Sequence, residues 1–154
     1  MGEGGSDGRD RHLLFGVGLF NQCWELINKP DRTENENVEM LLRAMASRWH
    51  WEQVGGPEQV ATGDWQVAHV ASLLGLGDLA VTFATRNLDM TSSSEWDGWR
   101  LASAHEGMAR ACAAAGDAEG YERHAAEAAR VLEDESDPEN RRHVADQLAS
   151  IPPP

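Results

Sequence analysis

Apolar residues recur three and four positions apart along most of the chain, and glycine, proline and capping residues cut that pattern into seven stretches. The first runs from about His12 to Asn28, carries Leu13, Val17, Phe20, Trp24 and Ile27, and stops before Pro30. A second opens at Thr33, which forms a T-x-x-E capping box with Glu36, and places Val38, Leu41, Leu42, Met45 and Trp49 on one face before Gly55 and Gly56 end it. Pro57 begins a third, where its missing N–H costs nothing, unless Gly63 and Asp64 delay its regular part to that point, and this one reaches Leu74. Further stretches cover Asp78 to about Leu88, Glu95 to Ala115 and Ala118 to Leu132, with a last one from Asp137-Pro138-Glu139 to just before the Pro152-Pro153-Pro154 tail. Isoleucine occurs only at Ile27 and Ile151 and the valines do not alternate, so material for a sheet is missing. The expectation is an all-α fold of about seven antiparallel helices: one domain over 12–150, between a disordered segment at 1–11 and a disordered Pro-rich tail at 151–154.

Charge narrows the partners. The 154 residues carry a formal net charge of -13, a field that disfavours nucleic acid and anionic membranes over most of the surface. No apolar run approaches the roughly 18 to 20 residues a membrane span requires. Cys23 and Cys112 sit in separate apolar helical stripes, as free thiols of a reducing, cytoplasmic compartment would. Abundant alanine, and arginine in preference to lysine, fit a bacterial source.

The segment Leu74-Gly75 to Leu88 aligns with Ala115-Gly116 to Ala129 at an offset of 41 residues. In each copy a turn glycine (Gly75, Gly116) has a small residue seven before it (Ala68, Ala109) and another nine after it (Ala84, Ala125), while Ala80 matches Tyr121. These positions resemble the tetratricopeptide (TPR) helical-hairpin pattern over residues 57–132. The chain is also similar to short bacterial helical proteins. Asp64 and His105 stand at the TPR family's tryptophan position, and Ser92 and Glu133 at its B-helix proline position. The resemblance implies a concave groove lined by the first helix of each hairpin: Thr62, Trp65, His69, Ser72 and Leu73 in one, Ser103, Glu106, Arg110, Ala113 and Ala114 in the other. Independently of it, Trp65 with His69 and Glu106 with Arg110 are i,i+4 pairs and share a face.

The densest mixture of aromatic and polar residues is Arg48-Trp49-His50-Trp51-Glu52, which a tight hairpin brings to Asp64-Trp65. Trp51 and Trp65 would wall a pocket, with Arg48, His50, Glu52 or Asp64 orienting a ligand; alternatively Trp49 is core and Arg48–Glu52 an ordinary ion pair. Trp96 and Trp99 either cover a groove edge or staple a helix. Nucleophile-elbow, phosphate-loop, dinucleotide and zinc motifs are missing, so no metal and no cofactor is assigned. The leading expectation is a binding module that holds a peptide, a partner helix or a small anionic or amphipathic ligand against Trp65, His69, Glu106 and Arg110, with Arg48, Trp51 and Glu52 as one wall. Arg110 would supply the anion fork. A homodimer is compatible with this. The alternative is a small all-α enzyme or ligand sequesterer using His50, His69 or His105 as general base, with Glu52, Asp64 or Glu106 as its partner.

Overall fold

The computed structural model describes residues 4–154 and has seven α-helices and, among the described residues, no strand. They are α1 (Gly4–Ile27), α2 (Glu34–Val54), α3 (Pro57–Leu73), α4 (Gly77–Ser92), α5 (Gly98–Ala114), α6 (Ala118–Glu133) and α7 (Pro138–Ala149). The helix starts follow local chemistry. Thr33 and Glu36 form the full capping box, Asp117 accepts from the Gly120 amide, Asp137 accepts from the Glu139 amide, and Pro57 and Pro138 occupy first-turn positions. The turns after α3 and α5 are alike: Gly75 and Gly116 have φ of 71° and 76°, and the amides of Leu76 and Asp117 reach back to the carbonyls of Ala71 and Cys112. Only glycine adopts that left-handed φ freely, which explains the matched punctuation.

Helix α1 begins at Gly4, ahead of the expected His12, so residues 4–11 are helical; Met1 to Glu3, the rest of the segment expected to be disordered, lie outside the described residues. Helix α4 runs on through Thr91 and Ser92, and α5 begins only at Gly98. At the other end Ile151 is buried while Pro152, Pro153 and Pro154 are exposed, and Pro152 and Pro153 border a hollow with Arg110, Ala113 and Ala114.

The helices form three antiparallel hairpins, α1 with α2, α3 with α4 and α5 with α6. The register is visible in cross-contacts: His12 meets His50 and the Ser47 hydroxyl donates to the Gly16 carbonyl, whereas Asn87 Nδ2 donates to the Ala61 carbonyl. The odd-numbered helices lie side by side and run the same way, as Trp24 against Trp65, Trp65 against Ser103 and Arg110 against Gln147 indicate. The even-numbered helices α2, α4 and α6 form the other layer.

Alanine dominates the contact where α3, α4 and α5 meet, and larger side chains the contact where α1, α2 and α3 meet. Ala68, Ala71, Ala80, Ala84 and Ala111 form one cluster with Met108 and Cys112, while Cys23, Met40, Ala44, Val67 and Val70 form another. Helix α2 is rotated from the face its hydropathy indicates: Leu41 and Met45 of that face pack against the core, the others do not. Val38, Leu42 and Trp49 are 57%, 56% and 52% exposed, whereas Met40, Ala44, Ser47, Arg48 and Trp51 face inward. The reason is that the inward polar groups have partners. Ser47 bonds Gly16, and Arg48 Nε lies 2.7 Å from Asp64, a fully buried carboxylate that Arg86 approaches at 3.4 Å from α4. Gly63 makes room for this, since a Cβ there would sit 2.7 Å from Arg48 Cγ. In α1, likewise, Val17 is exposed and Gly16 faces the core under Trp51.

Two stability predictions follow from this packing. Asp64→Ala strands the buried Arg48 guanidinium and should cost about 3–5 kcal/mol in chemical denaturation, while Glu52→Ala, at the exposed end of the same arginine, should cost under about 1 kcal/mol. Ala109→Leu forces a larger side chain into a fully buried helix contact and should lower stability by about 1–3 kcal/mol, against no measurable change for Glu122→Arg on the exposed face of α6.

Candidate functional site

On the outer face of the odd-numbered layer, aromatic rings gather into one assembly. Trp24 of α1 stacks on Trp65 of α3 with ring centroids 5.7 Å apart, and His69 lies against both, 5.7 Å from Trp24 and 5.1 Å from Trp65. The Trp65 indole N–H donates to the Ser103 carbonyl at 3.3 Å, and Gly107 leaves space for that ring, since a Cβ there would come within 3.2 Å of it.

Beside this stack opens a cavity of about 320 Å³. Phe20, Trp24, Trp65, Trp96 and Trp99 wall it, so four of the six tryptophans of the chain meet at one place. Its polar lining comes from Thr62, Asn87, Thr91, Ser103, Arg100 and His143. Arg100 is the cation at the rim: its guanidinium carbon lies 5.0 Å from the Trp99 ring centre and 6.0 Å from that of Trp96, and Nη2 is 3.3 Å from the partly exposed Glu58. Asn87 and Thr91 have their hydrogen bonds committed to backbone carbonyls of Ala61 and Asn87.

The sequence-predicted residues separate into two groups. Trp65 is a wall of the cavity, and Trp96 and Trp99 line it as well. His69 is in contact with the stack but only 7% exposed; burial, with the Arg110 charge adding to it, pushes its pKa down to about 3, so the ring is neutral. Glu106 and Arg110 form a buried ion pair at 2.7 Å, and Arg110 Nη2 also donates to the Gln147 carbonyl and the Ser150 hydroxyl at the C-terminal end of α7. That guanidinium is a latch for α7, placed where a cation complements the helix dipole. Burial raises the Glu106 pKa, against the opposing pull of Arg110. Arg48, Trp51 and Glu52 do not line the cavity. Trp51 is buried with its ring 5.2 Å from Phe20, which stands between it and the open space, and Arg48 bridges Glu52 and Asp64. His50 bonds His12 across the first hairpin at 2.8 Å, and His105 bonds His124 across the third at 3.1 Å. Among the described residues no group of three or more His, Cys, Asp or Glu is arranged to hold a metal.

Phe20, Trp24, Arg100 and His143 were not anticipated as lining residues. A signal for Trp24 exists: the 41-residue offset that relates Glu106 to Trp65 lands on Trp24 when applied once more toward the N-terminus. No family model, curated protein or solved structure matches the chain. No described helix is long and apolar enough to cross a membrane.

The histidines give a pH prediction. His50, His69, His105 and His124 all have lowered pKa values, chiefly because burial disfavours the charged ring. A group neutral in the fold and basic in the unfolded chain adds stability that is complete above its unfolded pKa near 6.5 and is lost as pH falls toward the folded value. The urea midpoint should therefore drop between pH 7.5 and pH 5, and His105→Gln combined with His69→Gln should flatten that dependence. An unchanged slope in the double variant would show that these rings do not report folding.

Proposed function

We propose that this protein is a non-catalytic binding module of the TPR-like helical-hairpin kind, and that its ligand is a small amphipathic molecule with a flat apolar body and one anionic group. The observation that carries this reading is the cavity walled by Phe20, Trp24, Trp65, Trp96 and Trp99 with Arg100 at its rim. Its volume, about 320 Å³, suits a small molecule rather than a folded partner, and apolar walls with a few placed polar groups are the common composition of ligand pockets. Aromatic faces attract a flat body through stacking, and a guanidinium held over two indoles offers a fixed fork to a carboxylate, sulfonate or phosphate. The same guanidinium disfavours a quaternary ammonium in what would otherwise resemble an aromatic cage. Trp65 keeps the role expected of it, while Arg100 takes the anion-binding part expected of Arg110. Two buried free thiols, Cys23 and Cys112, fit a cytoplasmic setting; burial pushes the Cys23 thiol up to about 12, out of the reactive range.

The acid–base alternative has less to support it. His69 and Glu106 lie behind the ring wall, and Ser103 and His143 both border the cavity without a hydrogen bond joining them.

The test uses 1-anilinonaphthalene-8-sulfonate, which has flat apolar rings and one anionic group, with tryptophan fluorescence as the readout. Trp65→Ala and Arg100→Gln should each weaken binding by about tenfold, equivalent to roughly 1.4 kcal/mol, and Arg100→Gln should leave the uncharged analogue N-phenyl-1-naphthylamine unaffected. Folded variants that bind the sulfonate as the parent does would overturn the assignment of the site.

A further inference from the structure

The first hairpin presents apolar surface that nothing in the fold covers. Of the large hydrophobic residues left exposed among the described residues, Leu14, Phe15 and Val17 are in α1 and Val38, Leu42 and Trp49 are in α2, with Leu73 and Leu76 elsewhere. At the opposite end of the layers the equivalent surface is closed by α7, which packs on α5 and α6. Stacked helical hairpins keep their apolar faces covered at both ends, so the α1 side calls for an occupant.

The outward face of α1 has the marks of self-recognition. Arg11, Gly18 and Glu25 recur at seven-residue intervals and so lie on one stripe, flanked by Leu14, Phe15 and Gln22. Gly18 has open space above it, with nothing within 4 Å of a Cβ built there, and it sits in a shallow hollow of about 470 Å³ whose rim includes Leu14, Phe15, Leu19 and His50. Knob and hole are thus on the same helix, as a contact that repeats itself across a two-fold axis requires. When two α1 helices cross antiparallel with their Gly18 residues facing, residue 11 of each falls opposite residue 25 of the other. The Arg11–Glu25 pair would then form twice, once on each side of the axis, with Arg11, which is 2.7 Å from Asp7 of its own helix, sharing its guanidinium between the two carboxylates.

Charge narrows the choice of occupant. Residues 4–54 hold eight acidic and six basic side chains, whereas residues 55–154 hold seventeen and seven. A basic partner would be drawn to the second region, and the charges of α1 alternate in sign instead of forming the basic face that an anionic lipid surface attracts. A second copy docked through α1 meets a near-neutral surface and keeps the two acidic regions at opposite ends.

We propose that α1 is the interface of a symmetric homodimer, with antiparallel α1 helices crossing at Gly18 and Arg11 paired to Glu25 across the axis. Sedimentation equilibrium of the full chain from about 1 µM to about 1 mM should show a monomer–dimer equilibrium. Arg11→Glu and Glu25→Arg each place like charges together on both sides of the axis and should weaken dimerisation about tenfold, while the double variant Arg11→Glu/Glu25→Arg restores opposite charges and should return to within about threefold of the parent. Gly18→Cys should give a disulfide-linked dimer under mild oxidation, since both native cysteines are buried. It also decides the matter should a charge variant fail to fold by circular dichroism. A monomer at every concentration, a dimer indifferent to the single reversals, or a double variant that is not rescued would each overturn the proposal.

Discussion

Close approach of helices at alanine sets the terms for the rest of this molecule. Where α3, α4 and α5 meet, the buried side chains are largely Ala68, Ala71, Ala80, Ala84 and Ala111, and elsewhere Gly63 and Gly120 stand where a Cβ would collide with a neighbouring side chain. Helices held this close leave no room for an indole among the alanines of α3, α4 and α5, whereas between α1 and α2 Gly16 makes space for Trp51. The rings therefore stand on the face of the odd-numbered layer, where Trp24, Trp65, Trp96 and Trp99 find one another and leave a cavity among them. Tight packing between layers and an open aromatic pocket on the outside are two results of one distribution of side-chain volume.

Polar burial works in the same direction. Asp64 is fully buried yet reached by Arg48 from α2 and Arg86 from α4, so one carboxylate ties three helices together. Such a group is stable only with its partners in place, which makes it a register pin more than a source of net stability. Glu106 and Arg110 do the equivalent for α7, whose only buried residue within the helix is Val144.

Much of the fold was legible in the sequence because it is written in local chemistry. Thr33, Glu36, Pro57, Gly75, Gly116 and Asp137 act within a few residues of themselves, and each marks an observed boundary. The inward face of α2 was not legible, because hydropathy ranks Val38, Leu42 and Trp49 above Ser47 and Arg48, and only the tertiary partners Gly16 and Asp64 reverse that order. The site divides along the same line. Trp65 and its register with Glu106 follow from the 41-residue offset, but spacing along one helix cannot reveal that Arg110 is occupied by the end of α7, nor that Phe20 screens Trp51 from the cavity.

The latch on α7 has a consequence for the pocket. His143 belongs to α7 and borders the cavity, so one wall of the pocket is an element that Arg110 fastens through the Gln147 carbonyl and the Ser150 hydroxyl. Under the proposed function a ligand would gain that wall only with the latch closed, and its apparent affinity would scale with the fraction of molecules in which the helix is docked. By reciprocity, under the proposed function occupancy would hold the helix down, so Arg110, through two hydrogen bonds that never touch the ligand, would help set how tightly it is held.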